Sequence, residues 1–191
     1  MVNTIKLTFI LLTLFVAACT MSSGSSMMTL FDGASMDNWN ESGNTVWTFS
    51  NGYVDGAGEG GFLVSENTYD DFRMVAEFWV DAPANSGIFI RCPDSENIGA
   101  ETCYEVNIYD QRPDPTYRTG SIVNFAPPAA QINAAGQWNR YEILAQGSRL
   151  QIILNGIETV DINDDSFDSG YIALQYGTGV VRFREVLLEE L

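Results

Sequence analysis

No histidine occurs anywhere in this 191-residue chain, and Lys6 is its only lysine. The first absence removes imidazole as a base, so Ser-His-Asp and Cys-His nucleophile systems are excluded. The second excludes a Schiff-base lysine from everything beyond the amino-terminal segment. Acid–base work therefore falls to Asp, Glu or Tyr. The electrophile would be an arginine or a bound divalent cation, with no histidine available to hold that cation. Positive charge is also scarce: 9 basic residues stand against 25 acidic ones, a formal charge of −16. Phosphate binding needs clustered cations, so nucleic acid is not an expected partner. Anionic lipid would repel such a surface as well.

Cysteine is sparse, at three residues, and two of them without histidine fall short of zinc-site patterns. No apolar run is long enough to span a bilayer stably. Leu7–Phe15 is instead a short hydrophobic core behind Lys6, followed by Val16-Ala17-Ala18-Cys19, which reads as a secretory signal. Small residues directly before a cysteine resemble a bacterial lipobox, in which cleavage leaves Cys19 carrying the lipid; an ordinary signal-peptidase site is the alternative. The expected organisation is a signal peptide over 1–18, a Ser/Gly-rich tether over 19–28 and one domain over 29–191. The membrane is then reached through the lipid anchor, at the outer membrane or surface of a bacterial cell. In such a compartment Cys92 and Cys103, at the two mouths of one loop, are candidates for a disulfide, with two free thiols as the alternative.

Amphipathic helices are missing too. About ten short alternating segments separated by turn signals predict an all-β, two-sheet jelly-roll sandwich. Asn51-Gly52 and Asn155-Gly156 mark two tight hairpins. Trp39 and the glycine-rich Gly56–Gly61 read as loops, and Gln111–Pro128 as a long connection of the kind that often carries function. Asp161, Asn163 and Asp165 match the opening of a calcium loop, but the glycine and glutamate such a loop needs are missing, so a solvated acidic turn is the expectation.

Asn85–Asp110 holds the candidate site. Strands are expected at Gly87–Arg91 and Tyr104–Tyr109. Alternation puts Ile88, Ile90, Tyr104, Val106 and Ile108 toward the core. Phe89, Arg91, Glu105, Asn107 and Tyr109 then share the opposite face, where cation, carboxylate, amide and rings could meet a sugar. An ordinary surface ion pair between neighbouring strands is the competing account.

Seven blocks stand in order along the chain: LFDG (Leu30–Gly33), NSGIFIR (Asn85–Arg91), YEVNIYD (Tyr104–Asp110), TGSI (Thr119–Ile122), AGQWNRYEI (Ala135–Ile143), LNG (Leu154–Gly156) and IALQYG…VVRFREV (Ile172–Val186). Together they resemble the 3-keto-disaccharide hydrolase family. The resemblance implies a concanavalin A-like lectin/glucanase type of jelly roll and cleavage of glycosides oxidised at C3. It further implies Glu105 as base or metal-facing carboxylate, Arg91 as the cation over the developing oxyanion, and Asn107, Gln175 and Trp138 as contacts to sugar hydroxyls and a ring face. Asp110 is a second carboxylate candidate. Tyr176 stands where many members carry a histidine. A lectin-like glycan-binding module and an envelope interaction protein are the alternatives to an enzyme.

Overall fold

The computed structural model describes residues 26–33 and 35–191. The expected signal peptide, Cys19 and the first part of the tether lie outside the described residues.

Eleven antiparallel strands form one continuous hydrogen-bonded surface. In chain order they are β1 (Met28–Phe31), β2 (Trp39–Ser50), β3 (Tyr53–Tyr69), β4 (Phe72–Val80), β5 (Ser86–Cys92), β6 (Tyr104–Ile108), β7 (Trp138–Gln146), β8 (Arg149–Leu154), β9 (Ile157–Asn163), β10 (Gly170–Tyr176) and β11 (Val181–Glu190). The path runs β6-β5-β10-β3-β11-β4-β7-β8-β9, with β2 beside β3 and β1 beside β11.

Strand β3 turns this single path into two layers. Its first part, Val54–Gly56, pairs with Phe183–Val181 of β11, whereas Gly61–Tyr69 pairs with β10. The crease between them is the glycine-rich stretch expected to be a loop. Those residues remain hydrogen-bonded to β2 on both sides of a register shift between Gly43 and Thr45. Gly58 has φ +92, and a Cβ at Gly61 would stand 2.5 Å from the Ser42 carbonyl oxygen. Only residues without side chains let two strands fold so closely. Trp39, also expected in a loop, opens β2 and is buried. The two Asn-Gly turns have positive φ at both central residues, as tight hairpins require.

The first layer is β6-β5-β10 with the second half of β3 and the first half of β2; the second carries β9-β8-β7-β4-β11. Ile88, Ile90, Val106 and Leu174 face Phe78, Tyr141, Ile143 and Val186 in one core. Tyr141, fully buried on β7, donates its hydroxyl to the Asn107 carbonyl of β6 at 2.7 Å and so pins the layers together. Burial pushes that phenol's pKa up, which keeps it a donor at every working pH.

Residues 109–137 connect β6 to β7. Single bridges Val106↔Ile122 and Ile122↔Ala126 fold this segment along the open edge of β6. Asp110 fastens it: one carboxylate oxygen accepts from the Ala134 and Ala135 N–H groups at 2.8 and 2.9 Å, the other from the Thr119 hydroxyl. The second carboxylate candidate therefore holds the connection in shape. Asp164 likewise accepts from the Tyr104 hydroxyl at 2.6 Å and from the Ser166 N–H, so it belongs to the fold of the acidic turn.

Candidate functional site

The outer face of the first layer is ordered by register. Asn107 pairs with Gly87, and one step beyond the Leu174↔Ile88 pair Gln175 lies on the other side of that glycine. Gln175 pairs in turn with Phe62, and Phe62 with Ser42. The neighbouring row reads Glu105, Phe89, Ala173, Val64, Asn40. A Cβ at Gly87 would stand 3.3 Å from both Cγ and Oε1 of Glu105. The carboxylate thus lies over the glycine, in the space a side chain there would take, between Asn107 and Gln175.

Glu105 is 8 % exposed, and among the described residues nothing donates a hydrogen bond to its carboxylate. Burial pushes its pKa up to about 7, against a smaller downward pull from Arg112. Asn107 is fully buried; its amide nitrogen donates to the Tyr117 carbonyl, while Oδ1 has no partner. Oε1 of Gln175 is buried and unpartnered as well. An orphaned buried acceptor costs about 1–3 kcal/mol. Two of them flanking an unbonded carboxyl point to a ligand that brings hydroxyl donors.

The positive charge here is Arg112, which reading by strand alternation missed. The Tyr109 carbonyl, just past the end of β6, accepts from the Arg112 N–H at 3.3 Å and starts a turn back over the sheet. The guanidinium lies over the Tyr117 ring at 5.5 Å, and Arg118 Nε holds the Arg112 carbonyl at 2.9 Å. The only available signal was the long connection itself. Tyr109 is partly buried at the root of this turn.

Arg91 is elsewhere. Its φ of 53° breaks the alternation at the end of β5 and turns the side chain away from Glu105. The guanidinium, 1 % exposed, donates to the carbonyls of Asp70, Gly147 and Phe167 at 2.8–3.3 Å and to the Asp71 carboxylate at 3.0 Å. It ties together the β3–β4, β7–β8 and β9–β10 turns. Trp138 is also removed from the site. It alternates with buried Tyr141 on β7, pairs with Trp79, and lies beneath Arg184 at 4.2 Å on the outer face of the second layer. Cys92 and Cys103 form a disulfide with their Cα atoms 4.7 Å apart. It packs with Phe89, Val64 and Ala173 beside Glu105.

A resident divalent cation does not fit these residues. Calcium takes six to eight oxygens, and both calcium and magnesium prefer ionised carboxylates. Here a single carboxyl stands between two amide oxygens. Among the described residues no three His, Cys, Asp or Glu side chains gather to hold a metal.

The family model for the 3-keto-alpha-glucoside-1,2-lyase-like domain matches residues 26–189. The chain belongs to this family. No curated protein sequence matches it. Among solved structures, it is similar to a protein of Parabacteroides distasonis ATCC 8503 provisionally described as a glycosyl hydrolase, at 21 % identity and TM-score 0.73 over 87 % of this chain and 100 % of that one. A second structure so described from the same organism has 20 % identity and TM-score 0.75, over 85 % and 92 %. The carbohydrate-binding module CBM66 of Bacillus subtilis has 18 % identity and TM-score 0.65, over 86 % and 100 %. At these identities the likeness shows the fold, a lectin-like jelly roll. The family is one of carbohydrate-acting domains, and this chain has that architecture.

Proposed function

We propose that the protein cleaves 3-keto-glycosides, with Glu105 as the base that removes the proton at C2. The observation that carries this reading is a single carboxyl group, buried and free of hydrogen bonds, whose pKa of about 7 suits a base at neutral pH. A ketone at C3 acidifies the C2 hydrogen. Glu105 takes that proton, and the C–H electron pair becomes an enediolate whose charge rests largely on the C3 oxygen. Arg112 is the cation near enough to steady that charge. The pair then forms the C1–C2 double bond as the C1–O pair leaves with the aglycone oxygen, which takes up a proton. Addition of water to the resulting enone completes a hydrolysis. Asn107 Oδ1 and Gln175 Oε1 accept from sugar hydroxyls. The family description and the carbohydrate-directed proteins of similar fold support this substrate class. The Val16-Ala17-Ala18-Cys19 sequence supports a lipid anchor at Cys19 and a place in the cell envelope.

A second reading, glycan binding without turnover, is favoured by the engaged amide nitrogen of Asn107 and the near-complete burial of Glu105. Turnover of a 3-keto-α-glucoside by the purified protein, beside Glu105→Gln, separates the two. Release of the aglycone by the parent and its loss in the variant supports the lyase. Saturable binding with no release by either protein supports the module.

A further inference from the structure

A cavity of about 290 Å³ opens on the same sheet face at the far end of the two rows. It is walled by Tyr171 of β10, by Asn40 and Ser42 of edge strand β2, by Glu66 of β3, and by Ser95 and Glu96 from the loop that the disulfide closes. Val64 forms its apolar floor. Among the described residues the side chains of Asn40, Ser42, Glu66, Ser95 and Glu96 have no hydrogen-bonding partner, although they surround one hollow. A half-buried ring beside unengaged hydroxyl, amide and carboxylate groups offers a sugar both a stacking wall and acceptors for its hydroxyls.

This hollow lies on the same sheet face as Glu105, in line with it along the rows. Asn40 and Ser42 end the rows that begin at Glu105 and Asn107. Between them stand Phe89 and the half-buried Phe62, their rings edge to face at 5.4 Å. The path from β6 to β3 and β2 crosses three to four strand spacings, about 14–19 Å. That exceeds the length of a disaccharide. Glutamates at the far end repel uronate and sulfate groups.

We infer that the Tyr171 cavity is a distal subsite for the aglycone end of a neutral oligosaccharide longer than two units, whose oxidised ring lies over Glu105. The inference rests on the proposed 3-keto-glycoside reading for the placement of that ring. Phe62 provides the apolar step between the two positions.

The test uses the purified full-length protein and α-glucosides of two, three and four units with the ketone on the non-reducing ring. Specificity, kcat/KM, should rise about tenfold from two units to four, the value of one good stacking contact. Tyr171→Ala should bring the four-to-two ratio to within about twofold of unity, as should Asn40→Trp, which fills the hollow from an exposed edge strand and leaves the core intact. A uronate as the terminal unit should forfeit the gain. A flat length dependence in the parent, or a ratio that survives in both variants, overturns the subsite while leaving the lyase reading in place. If no substrate is turned over, calorimetry with unoxidised glucosides decides. Affinity that grows with length and is lost in both variants upholds the subsite without the lyase; equal or absent binding at all lengths overturns it.

Discussion

Glu105 is held where its charged form is disfavoured, and that has a consequence for stability as well as for chemistry. Its folded pKa of about 7 lies above the ordinary glutamate value, so between roughly pH 4.5 and 7 the folded protein holds a proton that the unfolded chain has released. The stability from this group is fully present below that window and is lost as pH rises through 7, on the order of 3 kcal/mol. Glu105→Gln removes the buried charge but keeps the shape. Urea unfolding should find the variant more stable than the parent by about 1–3 kcal/mol at pH 8 and little different at pH 4. Equal stabilities at pH 8 would mean that the carboxyl is solvated.

Gly87 belongs to the same argument. Gly87→Ala puts a methyl 3.3 Å from Oε1 of Glu105, so the carboxylate must move. A misplacement of about 1 Å costs about 10²-fold in rate, and the shift asked for here is a few tenths of an ångström. The expected result is a loss of up to about tenfold in kcat with a stability change below about 1 kcal/mol. Arg91 should behave in the opposite way. Truncating it to Ala leaves three carbonyls unpaired in turns far apart in sequence, and leaves the Asp71 carboxylate only the Gly147 N–H. That should lower stability by about 3–5 kcal/mol in chemical denaturation. At this scale alternation placed Glu105 and Asn107 on one face, and the family resemblance, not alternation, pointed to Gln175 beside them. Alternation failed for Arg91, because a single left-handed residue reverses a side chain and nothing in IFIRC announces it. Arg112 was illegible for a related reason: a turn, not a strand, brings it to the site.

Among the elements, the Cys92–Cys103 loop links stability to the sheet face. A closed loop of this size stabilises by about 3 kcal/mol in the chain-entropy model. The double variant Cys92→Ser/Cys103→Ser should melt lower accordingly, and an unchanged midpoint would show that packing alone fixes the loop. The hairpins were readable because Asn-Gly demands positive φ at two successive residues, which few other turns require. The crease in β3 was not readable. Glycines mark loops and tightly folded strands alike, and only pairing with β2 distinguishes them.

Across the whole molecule, the all-β sandwich was legible because its cues repeat along the chain: alternating segments, turn residues and ordered blocks. The site was legible in part, since its floor lies on regular strands while its cation and roof come from the 109–137 connection. A lone acidic group in an acidic protein would ordinarily be unremarkable; burial beneath that connection is what singles out Glu105. The pH dependence of kcat/KM on a 3-keto-α-glucoside tests this most directly. The account predicts a rise of about tenfold per pH unit below 7 and a plateau above it, with activity abolished in Glu105→Gln. A flat profile through pH 7, or full activity in that variant, would contradict it.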